Sequence, residues 1–229
     1  MRRIALMIGG LIAGTMLPAA AAQEIQGRLS VTRNLTKQRV VLPTYTLRGV
    51  SPPKHNLTPS PIKEWERVVV YLESEKAPAA PKLTATLNQS GQKFDPEMLV
   101  VPVGSTVSFP NSDPIFHNVF SLSKTRQFDL GNYPSGKTRT ITFDKPGVVQ
   151  VLCHLHPDMN ATIMVVPNAW FTRPDDHGAF AFSGLPAGAY QVVVWHKSAG
   201  LFKQRIQVSQ GTVAKISMEI PVGLNESEP

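Results

Sequence analysis

The seven residues Cys153-His154-Leu155-His156-Pro157-Asp158-Met159 hold the only cysteine of the 229-residue chain. They bring together one thiol, two imidazoles and one thioether. Soft donors of this kind suit copper, whereas magnesium and calcium take oxygen ligands. A single cysteine cannot form an internal disulfide, so it is an inert buried thiol, an intermolecular link, or a reactive or ligating group. Its neighbours favour the last.

The residues before this stretch alternate as a strand over 147–153, with Val149, Val151 and Cys153 on one face. Period-two geometry therefore turns the thiol toward a core at the very end of that strand. His156 follows Cys153 by three residues and Met159 follows His156 by three, so all three can converge from one tight loop. A fourth donor must come from elsewhere. The best candidate is His117, at the start of an apolar run, His117-Asn118-Val119-Phe120, that reads as a neighbouring strand. Two imidazoles and a thiolate with a weak axial thioether make the donor set of a blue-copper electron-transfer centre. His154 follows Cys153 on the strand and is expected to point to the other side. His55 and His177 fall in loops and read as solvated, and His196 reads as an edge or core residue. The run Asp175-Asp176-His177-Gly178 lacks the oxygen-donor spacing of a calcium loop and reads as a turn.

What positions these residues is an all-β chain. Twenty prolines and 16 glycines punctuate short β-branched runs. Alternation marks a half-buried strand over 25–32, and Glu66 to Glu73, which contains Val68-Val69-Val70-Tyr71-Leu72, reads as a strand covered on both faces. A further strand is expected over 40–47, before the proline-rich loop 51–61. About seven strands are expected between residues 82 and 166, with turns that include Asn111-Ser112-Asp113-Pro114 and Gly131-Asn132. About five more are expected from 170 to 220. Residues 77–81, a Pro/Ala linker, mark a boundary.

Residues 1–22 read as an export signal: Arg2 and Arg3, an apolar core from 4 to 17, and the small residues Ala20-Ala21-Ala22 before Gln23. The mature protein is expected in the periplasm, with no membrane span after cleavage. Loss of Arg2 and Arg3 leaves 21 Lys+Arg against 16 Asp+Glu, a net charge of about +5. That charge suits an acidic protein partner or an anionic membrane face. The basic residues are scattered without interleaved aromatics, which argues against nucleic acid.

Two resemblances follow from the motifs. Residues 89–166 carry Phe94-x-Pro96, Val107-x-Phe109-x-Asn111, His117-Asn118-Val119, Phe128-Asp129-Leu130-Gly131, Pro146-Gly147 and Cys153-x-x-His156-x-x-Met159. Together these resemble a cupredoxin of the plastocyanin and amicyanin type. The resemblance implies one type 1 copper with equatorial ligands His117, Cys153 and His156 and axial ligand Met159. It also implies that Asn118 hydrogen-bonds across the ligand loops and holds the site in shape. Residues 178–190 resemble the middle of carboxypeptidase-regulatory-like and transthyretin-like β-sandwiches, whose earlier strands match residues 27–31 and 68–72. The combination resembles periplasmic proteins of the methylamine-utilisation or plastocyanin-like type.

The expected architecture is a cupredoxin Greek-key β-sandwich, residues 82–166, inserted in a second small β-sandwich built from 24–76 and 167–222, with 223–229 a flexible tail. Insertion is favoured over three separate beads because two-stranded sheets are marginal in water. The expected function is one-electron transfer with a redox protein such as a cytochrome or dehydrogenase, electrons passing through His156. The alternatives are copper delivery or storage, and an envelope scaffold whose copper site is secondary. Six histidines are too few for a blue site plus the histidine cluster of a multicopper oxidase, and no Ser-His-Asp or nucleophilic-cysteine pattern is present, so no enzymatic activity is expected. Phe116 and Val119 are expected to pack around Cys153.

Overall fold

A computed structural model describes residues 23–31 and 64–220. The signal segment, the strand expected over 40–47, His55 and the C-terminal tail lie outside the described residues. Apart from one 3₁₀ turn, Glu64–Arg67, the regular structure among the described residues is all β.

Strand β1 (Glu24–Val31) lies between two strands from the end of the chain. It pairs antiparallel with β14 (Ala179–Ser183) and parallel with β17 (Val213–Ile220). A second sheet has the order β13 (Phe171–Thr172), β2 (Val68–Glu73), β15 (Gly188–His196), β16 (Gly200–Val208). Ile25 and Leu29 of β1, Val68, Val70 and Leu72 of β2, and Tyr190, Val192 and Val194 of β15 fill the space between these sheets. The segments before and after residues 82–166 thus build one sandwich together.

The intervening chain forms a second pair of sheets. One has the order β6 (Met98–Pro102), β12 (Asn160–Val166), β11 (Gly147–Leu152), β8 (His117–Ser123), β9 (Arg126–Tyr133). The other has the order β10 (Thr138–Phe143), β7 (Ser105–Pro110), β3 (Thr84–Thr86), with the short pair β4 (Asn88–Gln89) and β5 (Phe94–Asp95) beside it. Their shared core holds Val107, Phe109, Val119, Tyr133, Val149, Val151, Cys153, Met159 and Ile163.

The two sandwiches stack face to face. Val69, Tyr71, Val193 and Trp195 of the first pack against Met98, Met164 and Val166 of the second. This third apolar layer explains the unbroken run in β2: its even-numbered residues enter one core and Val69 and Tyr71 the next. At the rim of this layer Arg67 reaches Glu97 at 3.3 Å, Lys197 bonds the same carboxylate, and Arg173 donates to the carbonyls of Glu66 at 2.7 Å and Met98 at 3.0 Å.

Ten strands, rather than about seven, lie between residues 82 and 166, and two further details differ from the sequence expectation. Gly131-Asn132 is not a turn but part of β9, because Gly131 takes φ +66° where the β8–β9 register slips between Asn118 and Phe120. Glycine alone absorbs such a kink without steric cost. The strand expected from Glu66 begins at Val68, after the 3₁₀ turn.

Candidate metal centre

Strands β11 and β12 are antiparallel neighbours, and the loop between them is the stretch from Cys153 to Met159. The N–H of Met159 donates to the carbonyl of His156 at 2.9 Å, closing the loop into a tight turn. Cys153 and Met159 both face the core, 5% and 1% exposed, whereas His156 is half-buried. On the adjacent β8, His117 is the first strand residue and is fully buried.

The Nδ1 atoms of His117 and His156 stand 3.1 Å apart, and His156 Nδ1 lies 3.8 Å from Cys153 Sγ. The three donor atoms all lie within 4.8 Å of one another, the one such group of three or more His, Cys, Asp or Glu side chains among the described residues. A metal bound at typical imidazole and thiolate bond lengths separates such donors by about 3.3–3.8 Å. The donor set and its spacing therefore fit a metal ion. With Met159 buried in the same cluster as Cys153, the chemistry on offer is soft.

Each imidazole leaves Nδ1 for the centre. His117 uses its other nitrogen, Nε2, to reach Asp113 Oδ2 at 2.8 Å. Asp113 is in turn fixed by the N–H groups of Gly91 at 2.6 Å and Gln92 at 2.8 Å. Burial opposes ionisation of Asp113, but these donors and the His117 ring hold its carboxyl below the usual carboxylate range. Sequence reading missed this residue, since Asn-Ser-Asp-Pro accounts for itself as a turn. Its only signal is a position four before His117.

Asn118 ties together the two segments that carry the candidate donors. Its backbone N–H points at Cys153 Sγ at 3.4 Å, its Oδ1 accepts from the N–H of His154 at 3.3 Å, and its Nδ2 donates to Asp129 at 2.7 Å. His154 is outside the donor group. Its ring is exposed and stacks on Phe120 with centroids 3.6 Å apart. Phe116 does not pack around Cys153: it precedes the strand, in a loop, and is 56% exposed, while Val119 is buried in the core beside Cys153. Beside the two histidines in the chain, Ile115, Phe116 and Leu155 are all exposed and apolar. His177 is exposed, and His196 is buried far along the chain in the other sandwich, with Nε2 3.0 Å from Glu64.

No family model matches the chain, and no curated protein matches it. Among solved structures, a copper-containing nitrite reductase from Thermus scotoductus SA-01 is 29% identical with a TM-score of 0.36, over 42% of this chain and 25% of that one. A purple cupredoxin from Nitrosopumilus maritimus is 23% identical with a TM-score of 0.33, over 36% of this chain and 99% of that one. A reduced amicyanin variant is 21% identical with a TM-score of 0.35, over 42% of this chain and 98% of that one. The match thus spans about a quarter of the nitrite reductase.

Proposed function

We propose that this is an exported, periplasmic protein that carries single electrons on one type 1 copper held by His117, Cys153 and His156, with Met159 as the weak axial ligand. The observation that carries the reading is the convergence of two imidazole Nδ1 atoms and the only thiol of the chain at one point, with His117 and Cys153 buried and His156 half-buried. In this reading residues 82–166 are a cupredoxin domain inserted in a carboxypeptidase-regulatory-like sandwich made of 24–76 and 167–222. Copper bound there would cycle between +1 and +2.

The work of the protein is to hold these donors still. Cys153 and Met159 are anchored at the facing ends of two paired strands, and Asn118 braces the loop from β8. Burial of His117, Cys153 and Met159 keeps water from the donors, so little has to reorganise around them. His156 alone lies near the surface, with Ile115, Phe116 and Leu155 exposed around the histidine-bearing loops. That apolar surface suits brief docking of a redox protein, a cytochrome or dehydrogenase, through which electrons enter and leave. No bond chemistry by the protein itself is part of this reading.

Copper delivery or storage is the competing role. The burial of three of the four proposed ligands favours a retained ion over an exchanged one. Voltammetry of the copper-loaded protein separates the two: a carrier gives a reversible one-electron wave and keeps its metal against a chelator. Prompt loss of copper to the chelator would establish the delivery role and end the carrier reading.

A further inference from the structure

The imidazole of His117 is held from both ends, and the far end is held by a charge. Its Nδ1 faces His156 at 3.1 Å, and its Nε2 meets Asp113 Oδ2 at 2.8 Å. Asp113 is 7% exposed and shares that same oxygen with the N–H of Gln92, while its Oδ1 accepts from the N–H of Gly91. Gly91 and Gln92 form the turn between β4 and β5, where both adopt positive φ, +63° and +56°, and so present successive N–H groups to one carboxylate. Asp113 itself is tethered by its own N–H to Asn111 Oδ1 at 3.0 Å. Asn111 in turn bonds the carbonyls of Ile115 and Tyr133. Both oxygens of the Asp113 carboxylate therefore have partners, and the His117 ring is contacted at both of its nitrogens.

We infer that Asp113 is a positioning residue that sets the reduction potential of the centre, with the β4–β5 turn as its clamp. This rests on the copper reading above and goes further, since it assigns control of the potential to a residue that touches no metal. A carboxylate accepting from the remote nitrogen of a ligating imidazole fixes its tautomer, with Nε2 protonated and Nδ1 free, and makes Nδ1 a stronger donor. The negative charge also lies one ring away from the ion, and it stabilises the divalent state more than the monovalent state. Removal of that charge therefore weakens binding of the oxidised ion more than of the reduced one. In Asp113→Asn the neutral oxygen can still accept from His117, but the amide nitrogen must then face the N–H of Gly91, so the variant deletes the charge and one clamp bond.

The test compares wild type with Asp113→Asn, each loaded with Cu(II). The expected result is a tenfold or greater fall in the ratio of Cu(II) to Cu(I) affinity, which is an upward shift of about 59 mV or more for a one-electron couple. Absolute Cu(II) affinity should fall about 10- to 100-fold. A purely structural role would lower the melting temperature of the metal-free protein and leave the potential alone, so an unchanged potential overturns the inference. A second measurement needs no variant. Nitrogen-15 NMR of wild-type protein loaded with Cu(I) should show a hydrogen-bonded His117 Nε2–H protected from exchange with water, and a freely exchanging one would overturn the assignment. If wild type binds copper with a reversible wave but fails either readout, the role of Asp113 falls and the carrier reading stands. If wild type takes no copper, both fall.

Discussion

Trp195 sits in the layer where the two sandwiches meet, and its replacement by alanine measures how much that layer contributes. The side chain is 6% exposed and packs in a cluster with Val69, Tyr71, Met98, Met164, Val166 and Val193. A buried tryptophan removes about 150–250 Å² from water, and at about 25 cal/mol per Å² this is worth about 4–6 kcal/mol before the retained Cβ is discounted. Measured Trp-to-Ala changes in cores cost about 3–5 kcal/mol, which is the expected loss for Trp195→Ala. Against a typical total of about 5–15 kcal/mol, that is a large fraction. Urea unfolding of the metal-free protein should show a lower midpoint with an unchanged slope, since the surface exposed on unfolding barely changes. Leu122→Ala, at a site 73% exposed, is the control and should shift stability by no more than about 0.5 kcal/mol. A loss below about 1 kcal/mol for Trp195→Ala would refute the packed interlayer and leave the sandwiches as independently tethered bodies.

His196 is buried with Nδ1 accepting from the N–H groups of Ser198 and Ala199 at 3.1 Å each, and it faces Glu64 and, through charge, Arg67. Burial lowers its pKa below the ordinary 6.5, partly offset by Glu64 and reinforced by Arg67. Only the unfolded chain then takes up a proton as pH falls below about 6.5, so the stability this site contributes is full above that pH and declines below it. Melting curves of wild type against His196→Gln should diverge in pH dependence there, and parallel curves would contradict the account. Gly27 lies opposite Phe180, and a Cβ on it would meet ring carbons at 2.0, 2.3 and 2.5 Å. Gly27→Ala should therefore cost about 1–3 kcal/mol in urea unfolding, and a neutral result would show that the ring moves freely. Phe116→Ser should leave stability within about 0.5 kcal/mol yet slow electron exchange with a protein partner while sparing exchange with a small inorganic reagent. Equal rates with both would remove the apolar surface from the docking role.

Much of the candidate site was legible because its donors are local. Cys153, His156 and Met159 share one loop, and a strand that runs up to the cysteine settles which way its thiol points. His117 was legible from the start of a strand, although the partner that completes it was not. Asp113 was hidden because a turn signature explains an Asn-Ser-Asp-Pro run without burial, while the two backbone N–H groups that make burial tolerable come from Gly91 and Gln92, in a different part of the chain. Phe116 was misread because its apolar character suggested a core position, but the strand begins one residue later and leaves it on the loop. The run Val68 to Leu72 announced a strand covered on both faces; that its second cover is the sandwich with the candidate metal centre depends on contacts with Met98 and Met164, which no local pattern encodes. The bulge at Gly131 shows the same limit, since a glycine that permits a turn also permits a kink within a strand.

The central claim is that one thiol and two imidazoles meet to hold a type 1 copper. Its most direct test is the visible absorption and paramagnetic resonance of the purified protein after addition of one equivalent of Cu(II). The account predicts an intense thiolate-to-copper charge-transfer colour and a type 1 resonance signal, both lost in Cys153→Ser although that variant stays folded. A folded wild type that remains colourless, or a colour that survives in Cys153→Ser, would contradict it.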